Sequence, residues 1–279
     1  SIIQGTRITL LIIPFFLFFF FRKSINIKNI VIISLVMFLS ITIFSIKKPK
    51  KAARYIPPKV FAGKIAIVLD DWGYSFNNMH IIEQIKSPLT IAVLPDLNYS
   101  RAIAENLHRK GFEIILHLPM EPKDKSAMEK NTIRISMNEG QIAGIIDKDL
   151  SSIPHVKGVS NHTGSMATSD TATMEAVFRV LKKRKLYFLD SYVTADSRCF
   201  KVASKYGLRF SKRDVFLDNK NDPKYIKKQL YILRDKARLK GYAIGIGHDR
   251  RNTLEVLRDV IPEFEKEGYK FVFLSEIVQ

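Results

Sequence analysis

The chain has 279 residues, 45 Lys and Arg against 27 Asp and Glu, a formal net charge of +18 and one cysteine, Cys199. A single cysteine excludes an internal disulfide and a cysteine-rich zinc site, and no basic stripe interleaved with aromatics marks a nucleic-acid surface. Ten of the basic residues and none of the acidic ones fall within residues 1–59, so much of the charge flanks an apolar N-terminus, where it suits anionic lipid headgroups.

That N-terminus holds two apolar runs. Ile8 to Phe21 is almost wholly apolar, but it contains Pro14 and is short for a bilayer span. Ile30 to Ile46 has only Ser and Thr as polar members, and its length is at the lower end of the roughly 17–25 residues that cross a bilayer core. We expect residues 1–46 to be a hydrophobic segment whose anchor, over about 30–46, sits in membrane lipid. A basic, proline-bearing linker over 47–62 follows. No small-x-small site follows Ile46, which argues for an uncleaved signal anchor. Lys47, Lys48, Lys50, Lys51 and Arg54 after the run outnumber Arg22, Lys23 and Lys28 before it. That count alone leans toward a cytoplasmic main domain, and if both runs span, the N-terminus and the main domain share one side, so charge leaves the topology open.

From Lys64 onward, short apolar runs alternate with helical patterns. The runs are Ile65–Leu69, Leu89–Leu94, Glu113–Leu118, Val156–Ser160, Leu186–Leu189, Val215–Leu217, Tyr242–Ile246 and Tyr269–Leu274. Tyr99–Arg109 reads as an amphipathic helix closed by Gly111, and Ser136-Met137-Asn138-Glu139 as a capping box that opens the next. Asp170 precedes a helix over Thr171–Lys183, Pro223–Lys240 ends at Gly241, and Thr253–Lys266 is a last helix despite Pro262. Alternation of this kind builds βα units on a parallel sheet. Seven or eight repeats suit a closed or nearly closed barrel over residues 63–279, with an open doubly wound sheet as the alternative. Gly245-Ile246-Gly247-His248 lacks the third glycine of a dinucleotide fingerprint, and neither a nucleophile elbow nor a Walker loop is present.

The runs end in polar residues, and in parallel α/β folds strand ends carry the chemistry. The first ends in Asp70-Asp71, the third in His117, the fourth in Asn161-His162, the fifth in Asp190-Ser191; later ones end in Asp218 and in Gly247-His248-Asp249. Two adjacent carboxylates repel unless they share a proton or a cation. Two histidines and a carboxylate make a common open site for a divalent metal. Asp71, His117 and His162 are therefore the expected ligands, leaving His248 for proton transfer; His80, His108 and His155 read as structural. Asp190 and Asp218 also suit helix capping.

The series Asp70-Asp71-Trp72-Gly73-Tyr74, His117-Leu118-Pro119-Met120-Glu121-Pro122, Asn161-His162-Thr163-Gly164-Ser165, Phe188-Leu189-Asp190-Ser191, Arg213–Asp218 and Ile244–His248 resembles the divergent polysaccharide deacetylase family, a branch of the NodB-like superfamily. The resemblance covers about residues 62–278. It implies a deformed (β/α)7-8 barrel, a bound divalent metal with zinc foremost, and an envelope-facing domain on the inner membrane, which turns topology toward the periplasm. It implies Asp70 as catalytic base beside the ligand Asp71, His248 as catalytic acid, and Asp190 as the catalytic partner that orients a side chain. The family's second histidine, four after the first, is replaced here by Glu121, and His162 is the expected substitute. Glu121 would then support the ligands or replace one, Arg213 would orient a neighbour, and Trp72 and Tyr74 would stack on sugar or pack the rim. The reaction implied is removal of acetyl groups from an envelope glycan. The alternative is an inactive glycan-binding or scaffold protein with a vestigial metal site.

Overall fold

The structure, a computed structural model, describes residues 26–45, 61–124 and 128–279. Near the N-terminus, β-branched and leucine residues form helix α1 over Ile27–Ser45. Among the described residues no helix is long and apolar enough to cross a membrane. The expected anchor over 30–46 is thus not established by the structure. The run Ile8 to Phe21, Ile46 and linker residues 47–60 lie outside the described residues.

Residues 59–279 are a unit of their own. Its elements are β1 (Gly63–Trp72), α2 (Met79–Ile82), β2 (Thr90–Val93), α3 (Ser100–Arg109), β3 (Glu113–Met120), α4 (Glu139–Ser152), β4 (Val156–Thr163), α5 (Thr171–Lys183), β5 (Tyr187–Asp190), α6 (Cys199–Tyr206), β6 (Phe210–Lys212), β7 (Val215–Phe216), α7 (Pro223–Lys240), β8 (Tyr242–His248), α8 (Arg251–Glu267) and β9 (Tyr269–Phe271). The strands follow the order β6-β5-β4-β3-β2-β1-β8-β7, with β9 added beside β1, and every pairing is parallel. This is the cyclic order of a β/α barrel. First and last large strands close on each other along a long register, Lys64 opposite Tyr242 through Asp70 opposite His248. The ring is interrupted between β6 and β7, which do not pair among the described residues. The result is a deformed β/α barrel open on one side.

Strand alternation sorts the side chains into two layers. Ile65, Ile67 and Leu69 of β1 face outward and pack with helix residues such as Leu230 and Leu233 of α7 and Leu257 and Phe264 of α8. Ala66 and Val68 face inward with Ala92, Ile115, Leu189, Ile244 and Ile246. No residue of α2 through α8 joins that inner layer, which is incompatible with a doubly wound sheet covered by helices on both faces. The tail after β9 plugs the barrel from below with Val272, Leu274, Ile277 and Val278. Glu113 anchors the plug: its Oε1 accepts from Thr90 Oγ1 (3.0 Å), Tyr187 Oη (2.9 Å) and Ser275 N (3.2 Å). Only the upper end, where the strands finish, is left for chemistry.

The helix boundaries follow their caps. Asp170 accepts from Thr173 N to open α5, and Asp222 accepts from Tyr225 N to open α7 ahead of Pro223. The capping box of α4 is Asn138 with Gln141, two residues later than Ser136 with Glu139. Met137 N is engaged with Arg134 O in a preceding turn, so the later box is the one free to start the helix. Strand β6 and the short helices α2 and α6 have no counterpart among the predicted elements, because none spans enough residues to show a period.

Candidate metal centre

The inward face continues upward past the apolar layer. After Ala66 and Val68 comes Asp70, after Ile115 comes His117, and after Ile244 and Ile246 comes His248. On β4, Ser160 and His162 share one face, and Ser160 is the register partner of His117 on β3. By the same alternation Asp71 would point outward. The register with β2 slips between Leu69 and Trp72, and Asp71 takes φ 65. This bulge turns the carboxylate inside, at a backbone cost of about 1–3 kcal/mol for a non-glycine residue there.

Asp71 Oδ1 lies 3.3 Å from His117 Nε2 and 3.1 Å from His162 Nδ1, and Asp70 Oδ2 lies 3.6 Å from His117 Nε2. The two imidazoles meet edge to face, 5.0 Å apart. His117 Nδ1 lies 2.8 Å from Ser160 Oγ; with the proton there, donated to the hydroxyl, Nε2 presents a lone pair to the carboxylates. Asp70 Oδ1 is buried without a hydrogen-bond partner, and Asp71 Oδ1 is also buried, with the His117 and His162 ring nitrogens beside it. Buried carboxylate oxygens are costly to leave unpaired. One ligand atom each from Asp71, His117 and His162 lie within 4.8 Å of one another. The unpartnered Asp70 oxygen, the imidazole nitrogens turned toward the Asp71 carboxylate and the two-nitrogen, one-oxygen donor set fit a divalent cation with an open position.

The electrostatics follow from burial and these neighbours. Burial pushes the Asp70 carboxyl up, against the opposing pull of His117 and His248. Burial acts in the same sense on Asp71, but His117 and His162 outweigh it and hold that carboxyl well below the usual range. Burial would lower His248, yet Asp218 reverses the sign and leaves it raised.

His248 is held by a complete set of contacts. Its Nδ1 lies 2.7 Å from Asp218 Oδ1, and its backbone N donates to Asp218 Oδ2 at 2.9 Å. Thr253 Oγ1 donates to the same Oδ2 at 2.7 Å. The pairing keeps a proton on Nδ1, donated to the Asp218 carboxylate, and leaves Nε2 for the site. Phe216 stacks on the His248 ring at 5.9 Å, and the Arg213 guanidinium covers the Phe216 ring at 3.6 Å. Arg213 donates to Ser191 O and Tyr192 O, so it reaches His248 only through Phe216.

Three expected site residues lie elsewhere. Asp190 accepts from Tyr192 N (2.7 Å) and Ser197 Oγ (2.7 Å), fixing the turn after β5; the structure pairs Asp218, not Asp190, with His248. Asp190 faces a cavity of about 480 Å³ at the gap between β6 and β7, whose lining includes none of Asp71, His117 and His162. Glu121 accepts from Ile135 N at 2.8 Å and so secures the β3–α4 connection rather than a metal. Trp72 is fully buried in the layer between sheet and helices, out of reach of substrate, whereas Tyr74 is exposed and donates to Glu129 at 2.6 Å. Ser160, Phe216 and Thr253 were not singled out from the sequence. Ser160 was legible as the residue two before His162, on the same face of a strand; the other two depend on which strands are neighbours.

The profile of the divergent polysaccharide deacetylases matches residues 67–278. The uncharacterised protein YibQ of Escherichia coli K12 is 38% identical over 72% of this chain, and the match spans 63% of that protein's own length. An uncharacterised protein from Agrobacterium tumefaciens C58 has a similar solved structure, with a TM-score of 0.74, 22% identity and coverage of 80% of this chain and 92% of that one. The Bc1960 peptidoglycan N-acetylglucosamine deacetylase shares the fold at a TM-score of 0.50, with 15% identity and coverage of 80% and 90%. With its profile match running from mid-β1 to the end of the barrel plug, the chain belongs to the divergent polysaccharide deacetylase family.

Proposed function

We propose that this chain is a metal-dependent hydrolase that removes acetyl groups from an envelope polysaccharide. The observation that carries this reading is the convergence of Asp71, His117 and His162 beside a free carboxylate, Asp70, and an aspartate-held imidazole, His248. A divalent cation held by the three ligands, zinc being the one this donor set suits, would polarise an acetyl carbonyl and bring a water toward ionisation near neutral pH. Asp70 Oδ1, buried and without a partner, is placed to take the proton from the attacking water. His248 Nε2 is placed to protonate the leaving nitrogen or oxygen, while Asp218 Oδ1 keeps the proton on Nδ1. Asp70 and His248 are direct register partners on β1 and β8, so base and acid flank one reacting centre.

Sugar rings have an available surface on the same face. Tyr74, Phe76, Tyr99 and Tyr192 are exposed in the turns that follow β1, β2 and β5. The deacetylase neighbour named for peptidoglycan N-acetylglucosamine supports an acetylated amino sugar as first substrate to try. The proposal places the domain on the periplasmic side of the inner membrane, attached through the N-terminal segment; protease access in spheroplasts tests that placement.

The reaction is tested by acetate release from N-acetylglucosamine oligomers and peptidoglycan fragments, using the full chain with zinc and after chelation. Zinc-dependent release, lost in Asp70→Asn and His248→Ala, is the expected result. Binding of the oligomers without release by the zinc-loaded chain would favour the inactive glycan-binding alternative.

A further inference from the structure

The proposed reaction makes no use of the cavity of about 480 Å³ at the gap between β6 and β7. The fold explains why it is there. Because β6 and β7 do not pair among the described residues, the barrel wall is interrupted and side chains alone line the slot. Its volume falls within the roughly 300–1,000 Å³ of small-ligand sites. One side of the slot is aromatic. Phe200 of α6 is 70% exposed, and its ring lies 6.1 Å from that of Phe210 in the same lining. Tyr192 adds a ring that its backbone holds in place. It takes a left-handed φ of 52, with its N donating to Asp190 and its O accepting from Arg213.

The charges of the lining are committed, with one exception. Asp190 accepts from Tyr192 N and from Ser197 Oγ, each at 2.7 Å. Asp214 Oδ1 meets Lys240 Nζ at 2.7 Å, and its Oδ2 accepts from Ile244 N at 3.0 Å. At the lower end, Gln279 O accepts from Phe210 N at 2.6 Å. Lys212 is the exception. It sits at the upper end as the register partner of Asp190, and its ammonium lies 4.7 Å over the Tyr192 ring. It makes no ion pair among the described residues. The slot thus offers one uncommitted positive charge beside aromatic faces. The carboxylate oxygens around it keep lone pairs for hydroxyl donors.

We propose that this cavity binds an acidic sugar. The apolar face of the pyranose lies on Phe200 and Tyr192, its hydroxyls donate to Asp190 and Asp214, and its carboxylate meets Lys212. A neutral sugar would leave the ammonium without a counter-ion, and an aromatic acid would bring no hydroxyls to the oxygen-rich wall. The site is separate from the metal centre, since none of Asp71, His117 and His162 lines it. The inference goes beyond the proposed reaction and does not rest on it. One chain of contacts links the two places. Arg213, which holds Tyr192, lies 3.6 Å over the Phe216 ring, and Phe216 stacks on His248.

The test is a ligand-observed NMR titration of the full chain after chelation, with two matched pairs of sugars. One pair is glucuronic acid and glucose, the other N-acetylmuramic acid and N-acetylglucosamine; within each pair the ring is kept and the carboxylate is lost. The acidic member of at least one pair should bind at least about tenfold more tightly than its neutral partner, the order of one charge-assisted hydrogen bond. The pair that shows the preference identifies where on the ring the carboxylate belongs. Lys212→Gln should abolish the preference, and Phe200→Ala should weaken both members of the pair. Both side chains are exposed, so neither change disturbs the core. Asp71→Ala should leave the preference unchanged. Equal affinity within both pairs, a preference that survives Lys212→Gln, undiminished binding in Phe200→Ala, or a preference lost in Asp71→Ala would overturn the proposal.

Discussion

Asp71 owes its place to a backbone conformation that its residue type seldom takes. The left-handed φ and the slipped register aim its carboxylate at two histidines from neighbouring strands. The histidine pair spans β3 and β4 because parallel register sets Ser160 beside His117 and His162 one inward position further on. That geometry explains how the site retains two imidazoles although Glu121 occupies the fourth position after His117. Ser160→Ala should weaken zinc binding by about 10–100-fold, the usual cost of losing a partner that orients a ligating histidine. Ser160→Thr should keep most of the affinity, and competition against a chelating dye measures both. His248 gives a pH test. Its raised pKa depends on Asp218, so Asp218→Asn lowers it and the protonated acid is lost at lower pH. The basic limb of the kcat/KM profile should therefore move to lower pH in that variant, and His248→Ala should lose about 10²–10⁴-fold in kcat. An unmoved limb in Asp218→Asn would remove His248 from the acid role. The cluster of Asp71, His117 and His162 was legible in the sequence as a candidate because polar residues at the ends of buried runs are conspicuous. The partner of His248 was not: Asp190 and Asp218 both end strands, and only the pairing of β7 with β8 decides between them.

The apolar runs located most strands but undershot three of the site, since β1, β4 and β8 continue through Asp70, His162 and His248 into polar sequence, whereas the run Glu113–Leu118 already held His117. Pairing, not hydrophobicity, extends them. One glycine shows how closely the inner wall is packed. A Cβ on Gly158 of β4 would collide with the ring of Tyr187, the buried phenol that donates to Glu113 at the barrel plug. Gly158→Ala should destabilise the domain by about 1–3 kcal/mol, as overpacking does. For a unit of this size that is a drop in Tm of about 2–4 °C per kcal/mol, read by thermal melting. A compensating Tyr187→Phe would not restore stability, because the ring remains and Glu113 loses a donor.

At the scale of the whole domain, a buried carboxyl away from the candidate site makes stability depend on pH. Asp149, inside α4, has an unpartnered Oδ2, and burial, reinforced by Asp96, pushes its pKa up to about 7. The folded state keeps this proton to about pH 7, whereas the unfolded chain releases it near pH 4. The folded state thus binds more protons between those values, and this contribution to stability is lost as pH rises through that window. Asp149→Asn should flatten the decline in Tm between about pH 4 and pH 7. At this scale the α/β alternation and the barrel were legible in the sequence, while the gap between β6 and β7 was not, because the three residues of β6 leave no periodic trace to set against the run at Val215–Leu217.

The central claim is that Asp71, His117 and His162 hold one divalent cation. The most direct measurement is the zinc content of the purified full chain by elemental analysis, beside Asp71→Ala and Asp190→Asn. One zinc per chain, lost in Asp71→Ala with the fold intact by circular dichroism and kept in Asp190→Asn, is the expected result. Stoichiometric zinc in Asp71→Ala would contradict the account.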